Sequence, residues 1–118
     1  MSSKIKQSKL QDGKIIVLEP KGNFTGGDET DELRDTIKKL AEEGNLKLII
    51  DLGGVTYLNS SALGVLISAH ANYAKRGGEI KLCQLNKNIE NLFVITKLSL
   101  VFDSYPSQIE AVAGFSNK

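Results

Sequence analysis

The stretch Ile49-Ile50-Asp51-Leu52-Gly53-Gly54-Val55-Thr56-Tyr57-Leu58-Asn59-Ser60-Ser61-Ala62-Leu63-Gly64-Val65-Leu66 decides the fold. Its first residues complete an apolar run, 46–51, whose near-continuous hydrophobicity suits a central strand covered on both faces. Residues 52–59 read as an irregular extended segment. Ser60 and Ser61 then open a helical pattern over about 61–76, which Gly77-Gly78 ends. At helical spacing, Ala62, Leu63, Val65, Leu66, Ala69 and Tyr73 share one broad arc with Ile67, His70 and Ala74. An arc that wide places much of the helix in a core or against a partner.

Working outward, 79–83 reads as another strand, 88–96 as a short helix and 100–102 as a short strand. A last helix covers 107–113, with Pro106 near its first turn and Ile109 and Val112 as anchors. Upstream, two β-like runs at 4–10 and 14–19 flank a Gln11-Asp12-Gly13 turn, where Asp-Gly favours left-handed backbone. Pro20 is expected to end the second run, leaving 22–27 as a loop. Asp28 is the expected N-cap of a helix over about 29–43, whose acidic first turn suits the helix dipole, and Gly44 is its natural C′ residue. The strand–helix alternation from residue 46 onward predicts an α/β fold: a mixed, mostly parallel sheet of four to five strands with packed helices. The whole of 1–118 reads as one domain with an ordered core at about 4–113, and 115–118 as a frayed end.

Composition narrows the function. The chain has 118 residues, 41% hydrophobic and 25% charged, with a net charge of +1. No basic stripe suggests nucleic acid. No apolar run approaches the ~20 residues that span a bilayer, and the first residues carry no apolar leader segment. A cytoplasmic protein is expected, and its lone cysteine, Cys83, suits a reducing compartment.

The residues offer little for catalysis. With one histidine and one cysteine, no His/Cys metal cluster forms and no metal or cofactor is expected. If Ser60 caps its helix, His70 lies about 15 Å along it, beyond the ~3 Å reach of a nucleophile's base. The Gly22–Gly27 segment lacks the residues of a phosphate loop. What stands out is a pair of hydroxyls, Ser60 and Ser61, where the carboxyl end of a strand meets a helix N-terminus. Ligands and partners gather at such ends in open α/β sheets. A cap uses one serine; the second is left over.

The quoted stretch resembles the signature of STAS domains, the anti-sigma factor antagonist family: a hydrophobic strand, Asp-Leu, two loose positions, Val, then Asp-Ser-Ser/Ala-Gly-Leu-Gly. Gly77-Gly78-Glu79-Ile80-Lys81-Leu82-Cys83 resembles the family's Gly-Gly strand. Leu92-Phe93, Thr96-Lys97-Leu98 and Val101-Phe102 resemble its closing segment. The likeness covers about 4–113 and implies the STAS fold. It also implies a non-enzymatic switch that binds an anti-sigma factor with serine kinase activity and so releases a sigma factor. Phosphorylation of Ser60, with Ser61 the competing acceptor, would switch it off, and a phosphatase would restore it. The partner surface implied is Thr25, Asn59, Ser60 and Ser61, with Asn72, Lys75 and Arg76 on the rim of the helix behind them. Asn59 stands where the family has Asp, Ala62 where it has Gly, and Thr25 where it has an acid. A STAS module acting as an unphosphorylated scaffold in a signalling complex is the alternative.

Overall fold

The computed structural model describes residues 5–116. The chain begins with an antiparallel hairpin, β1 (Ile5–Leu10) and β2 (Ile15–Phe24). Left-handed backbone in the turn starts at Gln11 (φ 56°) and runs through Asp12 to Gly13, one residue earlier than the Asp-Gly pair alone suggests. Beyond it come α1 (Asp28–Glu42), β3 (Lys47–Asp51), β4 (Gly54–Leu58), α2 (Ser60–Lys75), β5 (Glu79–Cys83), α3 (Lys87–Ile95), a 3-10 turn (Leu98–Leu100), β6 (Asp103–Tyr105) and α4 (Gln108–Ser116).

These strands form one six-stranded sheet in the order β1-β2-β3-β5-β6, with β4 paired to β2 off that path. All pairings are parallel except β1 with β2. The mixed, mostly parallel architecture is as expected, with six strands in place of four or five. The additional strand is β4, in the segment read as irregular. Only Val55 and Leu58 are buried in it, and its glycine start hides the strand pattern.

Pro20 does not end β2. The strand pairs with β3 through Leu18 and with β4 from Lys21, so on that edge Pro20 sits where the ladder changes partner and its missing N–H costs little. A register shift after Gly22 (φ 96°) completes the change. Strand 100–102 is also corrected. Leu98–Leu100 is a 3-10 turn, Phe102 is buried under α2's His70, and the strand lies three residues later.

Alternate strand residues serve opposite faces. Ile16, Leu18, Leu48, Ile50, Ile80 and Leu82 pack beneath α1 and α2, with Leu33, Ile37, Leu66 and Tyr73 above them. Ile15, Val17, Ile49 and Cys83 pack against α4. Each such fully buried side chain contributes about 1.5–3 kcal/mol. In α4 the anchors are Ala111 and Phe115, whereas Ile109 is 82% exposed and Val112 half-buried. Phe115 is therefore part of the core and not frayed; residues 117–118 of that expected frayed end lie outside the described residues. Lys81 is buried on this same face, its Nζ bonded to Glu79 (2.8 Å) and Asp103 (3.2 Å) and lying over the rings of Tyr105 and Phe115.

Candidate functional site: the mouth of α2

The carboxyl ends of β2 and β4 lie side by side and deliver the chain to α2. The Asn59 N–H donates to Phe24 O at 3.0 Å, and the side chains of Thr56 and Asn23 are hydrogen-bonded across the same pair of strands. Asn59 itself is extended (φ −93°, ψ −176°). Its Oδ1 accepts from Ala62 N at 3.0 Å and its carbonyl from Leu63 N, also at 3.0 Å. Asn59, not Ser60, is the N-cap. The asparagine's short acceptor does what the serine was expected to do, which leaves both hydroxyls free. Ser60 and Ser61 are the first two residues of α2, both exposed.

The loop after β2 closes over the second serine. Gly26 adopts φ 92°, and a Cβ there would sit 3.4 Å from both Cβ and Oγ of Ser61 and 3.7 Å from Asn59 Nδ2. The Gly26 N–H donates to Oγ1 of the buried Thr30 at 2.9 Å, which fixes the loop to α1. Thr25 is exposed in that loop. Asp28, expected as the cap of α1, is its first helical residue; Gly27 occupies the cap position and makes no side-chain bond there.

Thr25, Asn59, Ser60 and Ser61 are thus gathered at one end of α2. Asn72, Lys75 and Arg76 are not with them: at 1.5 Å per residue they lie about 18–24 Å farther along the helix. Arg76 is partly structural. Its Nε donates to Asn72 Oδ1 (3.1 Å) and its Nη1 to Ala41 O at the end of α1 (3.3 Å). His70 is half-buried, edge-on to Phe102 with ring centroids 5.2 Å apart. Among the described residues, no group of three or more His, Cys, Asp or Glu is placed to hold a metal ion.

Asn23, Gly26, Thr56 and Tyr57 complete this surface, and Asn23 and Thr56 carry no residue-type signal of a site. Tyr57 is 53% exposed. An aromatic at an exposed position of a short strand was the available signal. Asp51, the acid of the Asp-Leu pair, is structural: its carboxylate accepts from Gly53 N (2.8 Å), Gln84 Nε2 (3.1 Å) and Gln108 Nε2 (2.7 Å), holding β5's end and α4 to the sheet. Burial, reinforced by this carboxylate, pushes the neighbouring Cys83 thiol up to about 12, so at neutral pH it is a packed thiol and not a nucleophile.

The fold and the capped serine pair define a STAS domain, and the family description "STAS domain" matches residues 6–111. The chain belongs to the STAS-domain family. It is 38% identical to the anti-sigma-B factor antagonist of Bacillus subtilis over 71 residues, a stretch covering 60% of this chain and 64%, just under two thirds, of that relative. A STAS-domain containing protein of Pseudomonas aeruginosa is 26% identical over 91 residues, 77% of this chain and 88% of the relative. Among solved structures, one from Thermotoga maritima superposes with a TM-score of 0.86 at 18% identity, covering 93% of this chain and 92% of the other. The phosphorylated form of the Bacillus cell fate determinant SpoIIAA superposes at 0.74 with 13% identity, covering 94% and 98%.

Proposed function

We propose that this chain is an anti-sigma factor antagonist whose binding is switched off by phosphorylation of Ser60. The observation that carries the reading is the freed hydroxyl. With Asn59 supplying the cap, Ser60 stands exposed at the first position of α2. The relatives are named as antagonists of anti-sigma factors, and one solved neighbour is a phosphorylated form.

The electrostatics suit a switch that spares the scaffold. A phosphoserine carries about −1.5 to −2 charges at pH 7. At a helix N-terminus that charge meets free amides and the positive end of the dipole. The first turn of α2 contains no acidic residue to oppose it. From Ser60 to Ala74 the helix has no Asp, Glu, Lys or Arg. A partner packed on this neutral surface must desolvate or repel the new charge, and binding is lost. Lys75 and Arg76 form the charged far rim of the same docking helix. The partner is an anti-sigma factor with serine kinase activity, and a phosphatase resets the protein in the cytoplasm.

Incubation with that kinase and ATP, followed by mass spectrometric mapping, tests the assignment. Phosphate on Ser60 is expected, with none on Ser60→Ala. Phosphate on Ser61 alone moves the switch by one residue. Absence of phosphate, with partner binding intact, leaves an unphosphorylated scaffold module.

A further inference from the structure

The corner formed by α3 and the 3-10 turn exposes a cluster of large apolar side chains. Val94 is 63% exposed, Ile95 77%, Leu100 83% and Val101 44%. Four large apolar side chains this open present on the order of 400 Å² together, within the size at which a patch on a monomer is often functional. Between Asn91 and Phe102 the only charge is Lys97, held at the tip of the corner with φ 64°. Beside the patch is a cavity of about 220 Å³, bordered by Glu90, Val94 and Phe102 among others. Neither Glu90 nor Lys97 makes an ion pair with another described residue.

We infer that this corner is a self-association surface whose occupant is a second copy of the same chain. An isologous contact requires a patch that complements itself, and this one does. Glu90 and Lys97 stand on opposite sides of Val94, three or four residues from it. Antiparallel packing of α3 on its copy about an axis near Val94 brings each Lys97 to the other copy's Glu90. The apolar side chains are then buried between them. Projection and cavity also lie on the same corner, so Leu100 of one copy has a recess to enter beside Phe102 of the other. The apolar patch supplies about half of the ~800 Å² per partner that a standard interface buries, so the dimer is weak and populated at high concentration. No residue at the mouth of α2 takes part, so self-association is independent of the proposed switch.

Sedimentation equilibrium of the full chain from micromolar to millimolar concentration tests this. The weight-average mass is expected to climb from 12.8 kDa toward twice that value. Glu90→Lys or Lys97→Glu alone should weaken association at least fivefold, and the two together should restore it. Val94→Asp should abolish it. All three substituted positions are exposed, and circular dichroism checks that the fold is kept. A mass that stays monomeric at millimolar concentration overturns the proposal. So does association indifferent to Val94→Asp, or a charge swap that fails to restore it. Co-sedimentation of a monomeric chain with anionic vesicles would instead assign the corner to a membrane surface. Phosphorylation of Ser60 is read separately and does not enter this result.

Discussion

At the residue scale, Asn59 has two jobs that a carboxylate at this position would share. It caps α2 through Ala62 N, and it sets the charge next to Ser60. Asn59→Ala should cost about 1 kcal/mol of stability, read as a lowered urea midpoint at unchanged slope. Asn59→Asp keeps the acceptor and adds a charge that the helix dipole favours, so stability should hold or rise by a few tenths of a kcal/mol. Gly26 is the other constrained position. Its φ of 92° strains any L side chain, and a Cβ there would already be in van der Waals contact with Ser61, so a branched side chain adds crowding to strain. Gly26→Val should cost about 1–3 kcal/mol and displace the Thr25 loop, visible as amide shifts confined to 24–30 and the start of α2.

At the element scale, the outer face of the sheet depends on how tightly α4 seats. A Cβ on Gly114 would overlap the phenol of Tyr105, coming within 2.7 Å of its Cζ. Gly114→Ala should therefore lift α4 from β5 and β6 and speed hydrogen exchange in that helix, while the α1–α2 layer keeps its protection. Elements with strong periodicity were legible in the sequence. β3 and β5 follow from apolar runs, α1 from its spaced leucines and acidic start, and α2 from its apolar arc. Elements set by tertiary pairing were not. β4 is a strand because β2 outruns β3 and needs a new neighbour. Pro20 is tolerated for the same reason. Phe102 looked like strand and is instead a core side chain beneath His70. At the site, the serine pair was legible from composition, but the transfer of the cap to Asn59 depends on how the ends of β2 and β4 meet.

At the scale of the whole molecule, three buried groups make stability sensitive to alkali. Burial raises the Cys83 thiol from its ordinary 9.0, and the Tyr73 phenol from 10.0, each to about 12, with Arg76 partly offsetting the latter. For Lys81 burial opposes the charge, but the hydrogen bonds its ammonium donates to Glu79 and Asp103, with Tyr105 beside them, outweigh it and raise the ammonium above its usual range. In each case the unfolded chain releases its proton first. The stabilisation is complete below pH 9 and is lost as pH rises from there toward 12. Urea midpoints should fall steadily above pH 9, and Cys83→Val should move the onset up by about one unit, to where the Tyr73 phenol takes over. Phosphorylation tests a different property of the whole molecule, because its charge should alter binding without altering the fold. Calorimetric titration of the proposed anti-sigma factor partner into the wild-type chain, Ser60→Ala and Ser60→Asp, with melting curves for all three, measures this most directly. Equal melting, retained affinity in Ser60→Ala and a loss of at least tenfold in Ser60→Asp are predicted. Undiminished binding by Ser60→Asp would contradict the account.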